Sequence, residues 1–188
     1  MFVPMGDRRY WFPKPYADTV AKLRVPCGFL LVAAFLYFSA PDTCSLATGV
    51  PVAMLGLLLR AWATGHLEKD RELTTSGPYA HLRNPLYLGT LTIAAGLAIA
   101  ARRWELVALF AVVFALIYLP VIELEEQHLR DLFPSYGRYA ERVPAFWPRL
   151  QPAGASRPFR WNLYIRNREY QALLGFAAGI AVLLWKAQ

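Results

Sequence analysis

Two separated stretches of the sequence concentrate residue types that bind and activate small molecules. The first, residues 68–89, reads EKDRELTTSGPYAHLRNPLYLG, and the second, residues 121–144, reads VIELEEQHLRDLFPSYGRYAERVP. In the first stretch, a helix that begins at Pro85 would present unpaired N–H groups to an anion. In the second, Glu125 and Glu126 could bind a cation or accept a proton. These residue types indicate sites for charged groups, but their spacing alone names no substrate.

The acidic run also has a simpler interpretation, as the solvated start of an amphipathic helix. Large apolar side chains follow it at helical spacing. They are Leu129, Leu132, Phe133, Tyr136 and Tyr139. The three histidines are too scattered for a metal site, and no metal site is expected. No glycine-rich nucleotide-binding motif indicates a soluble nucleotide fold.

The elements that must position these residues are predicted to be membrane helices. The chain has 188 residues, of which 56% are hydrophobic and only 18% are charged, with a net charge of +7. A soluble domain carries roughly 25% charged residues. The composition therefore excludes an ordinary soluble globule, a disordered chain and a disulfide-rich scaffold. An integral membrane protein is the class that remains.

Uncharged apolar runs predict an all-α fold with about five transmembrane helices in a single domain, 1–188. Each run is short, but each is long enough to span a bilayer. Residues 1–24, which mix aromatic and basic side chains, are expected to form an N-terminal arm at the membrane interface. The expected spans are 25–41, 46–66, 85–101, 104–122 and 169–186.

The distribution of Lys and Arg predicts the orientation of the chain. Basic residues concentrate in the N-terminal arm, the 66–84 loop and the 123–168 segment, which are therefore expected in the cytoplasm. Arg102 and Arg103 are the clear exceptions. On this interpretation the 66–89 loop and the 123–150 segment form a cytoplasmic pocket. Topology and attraction to anionic headgroups account for the positive charge, so no nucleic-acid partner is expected.

The two stretches closely resemble the isoprenylcysteine carboxyl methyltransferase family and its phospholipid methyltransferase relatives. The family pattern has a Thr-Ser-Gly turn, an aromatic residue and Arg-His/Asn-Pro-x-Tyr-x-Gly, then Glu-Glu-x-x-Leu and Tyr-x-x-Tyr-x-x-x-Val-Pro after two spans. The matching residues here are Thr75-Ser76-Gly77, Tyr79, Arg83 to Gly89, Glu125 to Leu129, and Tyr136 to Pro144. Two separated motifs in the same order make the resemblance specific.

The resemblance implies a membrane methyltransferase that uses S-adenosylmethionine as its cofactor. It assigns cofactor binding to Arg71, Glu72, Leu73, Thr74, Tyr79, Asn84, Pro85, Leu86, Tyr87 and Glu125. Glu125 would pair with the ammonium group of the cofactor, and the carboxylate end would suit Arg83 or the N–H groups near Pro85. The rings of Tyr79 and Tyr87 would face the adenine or the sulfonium.

One departure from the family leaves the methyl acceptor open. The prenylcysteine enzymes have an arginine four residues before the cofactor glutamate, and this chain has Val121. Arg60 and Arg83 are candidate replacements. The acceptor is expected to be a prenylcysteine-like carboxylate or a lipid amine. The predicted catalytic residues are Glu126, His81 and Arg83, with Glu126 or His81 as the base that an amine acceptor would require.

Two other functions remain compatible with the sequence. One is an NADPH-dependent membrane reductase of the sterol-reductase type, and the other is a non-catalytic helical membrane scaffold. The glutamate pair and the short chain favour the methyltransferase. Its expected partners are membrane lipids and a hydrophobic or lipid substrate that enters from the bilayer through an opening between spans.

Overall fold

A computed structural model of the chain describes residues 11–154 and 157–188. Within these residues the fold is all-helical, with no strand, which confirms the predicted fold class. The helices are α1 (Lys14–Phe38), α2 (Thr43–Thr64), α3 (Pro85–Ala101), α4 (Trp104–Val113), α5 (Leu119–Leu132), α6 (Tyr136–Arg142), α7 (Trp161–Arg166) and α8 (Tyr170–Lys186). A short 3₁₀ helix covers Gly77–Ala80.

Five apolar helices correspond to the five expected spans. Three are long and apolar enough to cross a membrane, namely Lys14–Phe38, Thr43–Thr64 and Trp104–Leu132. The shorter apolar helices are Pro85–Ala101 and Tyr170–Lys186. α3 has the predicted bounds because Pro85 suits a first helical turn and Arg102 ends the helix in the left-handed conformation.

Two helices extend beyond the expected spans. Helix α1 begins at Lys14 rather than near residue 25, so residues 14–24 of the expected interfacial arm continue directly into the first apolar helix. Residues 1–10 of that arm lie outside the described residues. The fourth expected span, 104–122, lies in a helix that continues to Leu132 and carries the acidic run with it.

A π-helical segment, Phe114–Tyr118, joins α4 to α5. Its position follows from Pro120, which has no N–H to donate to the carbonyl of Leu116, four residues earlier. The Tyr16 hydroxyl of α1 donates to that carbonyl oxygen at 2.6 Å. Further along the same contact, the Glu123 carboxylate accepts the backbone N–H groups of Trp11 at 2.6 Å and Phe12 at 3.0 Å. We call this contact between α1 and the continuous α4–α5 helix the α1–α5 seam.

Helices α2 and α3 approach each other until their backbones touch, and small residues form this α2–α3 seam. A Cβ atom added at Gly96 would lie 2.3 Å from the Ala53 nitrogen, and one added at Gly56 would lie 2.5 Å from the Gly89 oxygen. Larger side chains would therefore force the helices apart, as in other small-residue contacts between membrane helices. The residues of the seam are Gly49, Ala53, Gly56, Gly89, Gly96 and Ala100.

Arg102 and Arg103, the two basic residues that depart from the predicted charge distribution, both have partners at the turn between α3 and α4. Arg102 pairs with Asp42, whose side chain also caps α2 by accepting the Ser45 N–H. The backbone hydrogen bond from Ser45 is the main cause that lowers the pKa of Asp42. Burial acts in the opposite direction, and the Arg102 charge lowers the pKa further. Arg103 Nε donates to the Phe38 carbonyl oxygen at 3.0 Å, at the C-terminus of α1. Cations at that position are favoured by the helix dipole.

Candidate functional site

The two predicted stretches meet in space. Backbone hydrogen bonds connect residues 80–84, which lead into α3, to residues 144–153, which follow α6. The donor–acceptor pairs are Arg83–Pro144 at 2.8 Å, Asn84–Ala145 at 3.3 Å, Arg149–His81 at 3.0 Å and Ala153–Ala80 at 2.9 Å. We call the end of the bundle that carries these segments the motif end. The structure thus brings together two regions that are distant in sequence.

Glu126 fastens α5 to the start of α3. Its Oε1 atom accepts a hydrogen bond from Asn84 Nδ2 at 3.0 Å and lies 3.3 Å from Arg83 Nε. The Arg83 and Glu126 side chains are only 15% and 17% exposed. Arg83 Nε is buried and meets Glu126 as an ion pair without hydrogen-bond alignment. Two predicted catalytic residues are therefore engaged with each other through one oxygen of Glu126.

Glu125, one residue earlier, has different surroundings. Successive helical residues point about 100° apart, and the Glu125 side chain is 52% exposed. Its Oε1 atom lies 3.6 Å from Arg24 Nη1 of α1, which is beyond hydrogen-bond length. The Tyr87 hydroxyl is near both charged groups. Arg24, Tyr87 and Glu125 form what we call the Glu125 cluster, at the motif end of the α1–α5 seam.

Tyr87 belongs to the first turn of α3 and so connects the start of that helix with the Glu125 cluster. Pro85 is buried in that turn, and no side chain caps the helix there. The backbone N–H groups of Leu86 and Tyr87 are thus free of a capping side chain. The Tyr87 ring also meets the Tyr118 ring edge-on, with 6.2 Å between centroids.

Tyr79 is placed as a packing residue. It is 8% exposed, and its carbonyl oxygen accepts the Tyr139 hydroxyl at 2.8 Å. Burial raises the pKa of Tyr79 and of Tyr139 well above the ordinary tyrosine value, so both hydroxyls stay protonated. Little of the Tyr79 ring is left for the predicted contact with adenine in this conformation.

His81 has its own environment. Its Nδ1 atom lies 2.8 Å from the Arg149 carbonyl oxygen, so Nδ1 carries the proton and Nε2 is the acceptor. The ring borders an apolar cavity of about 210 Å³. The other residues that line this cavity are Leu59, Trp62, Pro78, Leu82, Leu88 and Pro148. The contacts of His81 in the described chain do not include Glu125 or Glu126.

The predicted cofactor residues 71–74 turn toward a different part of the chain. Arg71 is exposed, and Glu72 forms a two-pronged ion pair with Arg157, at 2.6 and 2.9 Å. The Thr74 hydroxyl accepts the Glu68 N–H at 3.3 Å. Leu73 lines an open cavity of about 230 Å³ together with side chains of α6, including Arg138 and Arg142. The described contacts do not connect this segment with the Glu125 cluster.

The two arginines predicted to replace the family arginine already have carboxylate partners. Arg60 binds Glu169 through two nitrogens, at 2.7 and 2.9 Å, and donates to the Thr90 hydroxyl at 2.6 Å. It also reaches the Leu86 carbonyl oxygen at 3.4 Å. Val121 is buried. Sequence reasoning missed Arg24, although a lone basic residue between Leu23 and Val25, at the border of an apolar run, is a usable signal.

In the part of the chain that the structure describes, no three His, Cys, Asp or Glu residues come together to hold a metal ion. What the motif end offers is a half-exposed carboxylate, an uncapped helix start and an aromatic ring. These groups suit an organic ligand that carries both a cationic and an anionic group.

Comparison with known proteins narrows the class of this all-helical membrane protein. Residues 45–136 match the family model described as phospholipid methyltransferase. The chain also resembles protein-S-isoprenylcysteine O-methyltransferase of Schizosaccharomyces pombe, with 27% identity over 72% of this chain and 59% of that protein. The region that matches this family, residues 45–136, includes the start of α3 and the glutamate pair, which supports the family that the two motifs predicted.

Two bacterial relatives are more similar in sequence. Cobalt-zinc-cadmium resistance protein CzcN of Cupriavidus metallidurans is 39% identical over 54% of this chain and 47% of its own length. Nickel-cobalt-cadmium resistance protein NccN of Alcaligenes xylosoxydans xylosoxydans is 37% identical over 68% of this chain and 63% of its own. The chain therefore spans less than two thirds of the length of these curated relatives. No solved structure matches it.

Proposed function

We propose that the protein transfers a methyl group from S-adenosylmethionine to a lipid or another small hydrophobic acceptor, with the motif end facing the cytoplasm. One observation carries the proposal. The two family motifs come together at the start of α3 and leave Glu125 half-exposed beside an uncapped helix end. The match of residues 45–136 to the phospholipid methyltransferase family supports the same reaction.

The groups present fit the cofactor. Glu125 would bind its ammonium group, because the carboxylate has only a loose partner at 3.6 Å. The N–H groups of Leu86 and Tyr87 would bind its carboxylate, since no side chain caps that turn. Tyr87 is in the same first turn of α3, and its hydroxyl is near Glu125. When bound, S-adenosylmethionine supplies an electrophilic methyl carbon.

The remaining task of the chain is to align the acceptor and exclude water. An acceptor arriving from the bilayer meets α1, whose exposed side chains include Val25, Phe29 and Leu30. These exposed side chains favour the α1–α5 seam as the route of the acceptor, because the seam leads along apolar side chains to the Glu125 cluster.

Binding of S-adenosylhomocysteine to the purified protein in detergent tests the proposal. We expect it to raise the melting temperature, and NADPH to leave it unchanged. The variant E125Q should weaken binding tenfold or more in calorimetry, since a charge-assisted hydrogen bond contributes about 1.5–3 kcal/mol. Stabilisation by NADPH instead would favour a reductase, and stabilisation by neither ligand would favour a scaffold.

The matched control is E105Q. Glu105 is an exposed glutamate in the first turn of α4, at the other end of the bundle. The same change of charge there should leave cofactor affinity unchanged. Equal weakening by both variants would contradict the assignment of the ammonium site to Glu125. Incubation with radiolabelled cofactor in native lipid extract would then identify the acceptor.

A further inference from the structure

Arg24 occupies the position at which a cationic ligand would meet Glu125. Its guanidinium lies 3.6 Å from the Glu125 carboxylate, and both side chains are roughly half-exposed, at 43% and 52%. An exposed ion pair of this kind contributes little to stability and exchanges readily. The Arg24 side chain therefore resembles a weakly bound ligand of Glu125 more than half of a structural ion pair.

The other arginine–glutamate pairs around the site are built differently. Arg60 holds the Glu169 carboxylate with two hydrogen bonds, and Glu169 is 5% exposed. Arg83 and Glu126 are both largely buried. Neither pair can open without leaving a charge in a buried place. Arg24 can leave Glu125 without that penalty.

We propose that Arg24 is an internal competitor for the cofactor subsite on Glu125, and that cofactor binding releases it to hold an anionic group of the methyl acceptor. This inference rests on the proposed function and specifies its acceptor as a lipid-like anion. The ammonium group of the cofactor and the guanidinium compete for one carboxylate, so binding of the first frees the second.

The released guanidinium points to an anion because of what surrounds it. The nearby Glu123 carboxylate is already occupied by the N–H groups of Trp11 and Phe12. Leu23 and Val25, on either side of Arg24, are exposed, so the residue lies at the edge of an apolar surface. A guanidinium binds carboxylates and phosphates through paired hydrogen bonds. An amphiphile with either anionic group would satisfy both the apolar surface and the charge.

The test measures S-adenosylhomocysteine affinity by calorimetry in wild type, R24Q, R24K and K22Q. Loss of the competitor should make R24Q bind about two- to fivefold more tightly, opposite in sign to E125Q. R24K keeps the charge and should remain near wild type. K22Q removes an exposed charge two residues earlier on the same helix and should have no effect. Unchanged or weaker binding by R24Q overturns the inference.

The acceptor half is tested with laurate, dodecyl phosphate and dodecanol as probes, in dodecyl maltoside. We expect wild type to bind at least one of the two anions at least fivefold more tightly when S-adenosylhomocysteine is bound, and R24Q to lose this gain. The anion that responds distinguishes a carboxylate from a phosphate acceptor. A gain that persists in R24Q, or no gain with either anion, overturns this half. Wild type that binds no S-adenosylhomocysteine overturns the proposed function itself.

Discussion

The α2–α3 seam and the α1–α5 seam each end in an arginine–glutamate pair at the motif end, but the pairs differ in kind. Along the first seam, glycine and alanine let two backbones touch, and Arg60 then binds the buried Glu169 through two hydrogen bonds. Along the second, larger side chains and a few polar contacts join the helices. Arg24 there meets Glu125 at 3.6 Å, with both groups half-exposed.

The difference assigns separate tasks to the two seams. The α2–α3 seam is rigid, because separating its backbones or its buried charges would cost a large free energy. It fixes the start of α3, where Leu86 receives a contact from Arg60. The α1–α5 seam contains the charged groups that can exchange partners. A rigid helix start beside an exchangeable ion pair is what a binding site for a charged ligand requires.

The largest expected effect separates the two carboxylates. E169Q should destabilise the protein by about 3–5 kcal/mol, because it leaves the Arg60 charge, whose side chain is only 22% exposed, without its partner. E125Q should cost about 1 kcal/mol or less, since its ion pair is exposed. Denaturant unfolding in detergent measures both. Equal losses would show that the two seams do not differ in the way described.

The second comparison uses two glycines. G96A should cost about 1–3 kcal/mol, because the added Cβ would lie 2.3 Å from the Ala53 backbone nitrogen. G28A, in the middle of α1, meets nothing within 4 Å and should stabilise the helix by about 0.5–1 kcal/mol. The melting temperatures of the two variants should therefore move in opposite directions. A tolerated G96A would argue against backbone contact in the α2–α3 seam.

A smaller effect is expected from the hydroxyl that bridges the α1–α5 seam. Y16F removes the hydrogen bond to the Leu116 carbonyl oxygen, at 2.6 Å, and should cost about 0.5–1.5 kcal/mol. Y37F, on the same helix, removes a hydroxyl from a residue that is 80% exposed and should be neutral. Identical unfolding curves for Y16F and wild type would place the support of the π-helical segment elsewhere.

The smallest expected effect is a pH dependence outside both seams. The hydrogen bond from Arg157 is the main cause that lowers the pKa of Glu72 below its ordinary value of 4.5. A carboxyl with a lowered pKa stabilises the folded state above its ordinary pKa, and this stabilisation is lost as the pH falls through the lowered value. E72Q should remove that part of the acid-induced loss of melting temperature. High salt should diminish the difference, because both side chains are exposed.

Much of the fold follows from local sequence. The apolar runs predict all five apolar helices, and Pro85 predicts where α3 begins. The helices extend past the expected spans at two places where charged residues occur. Composition limited the spans at residues 14–24 and at the acidic run, whereas α1 and α5 continue through them. Helical hydrogen bonds continue past polar side chains when partners such as Glu123 are available.

The site was predictable as a set of motifs but not as an arrangement. The sequence by itself determined the class, the helices and the candidate residues, because hydropathy and residue type are local properties. Only the tertiary structure decided that Glu126 is fastened to Asn84 and Arg83 while Glu125 remains half-exposed. It also decided that Arg24, remote in sequence, is the partner of Glu125. Such pairings depend on which helix faces come together, and no local pattern encodes that choice.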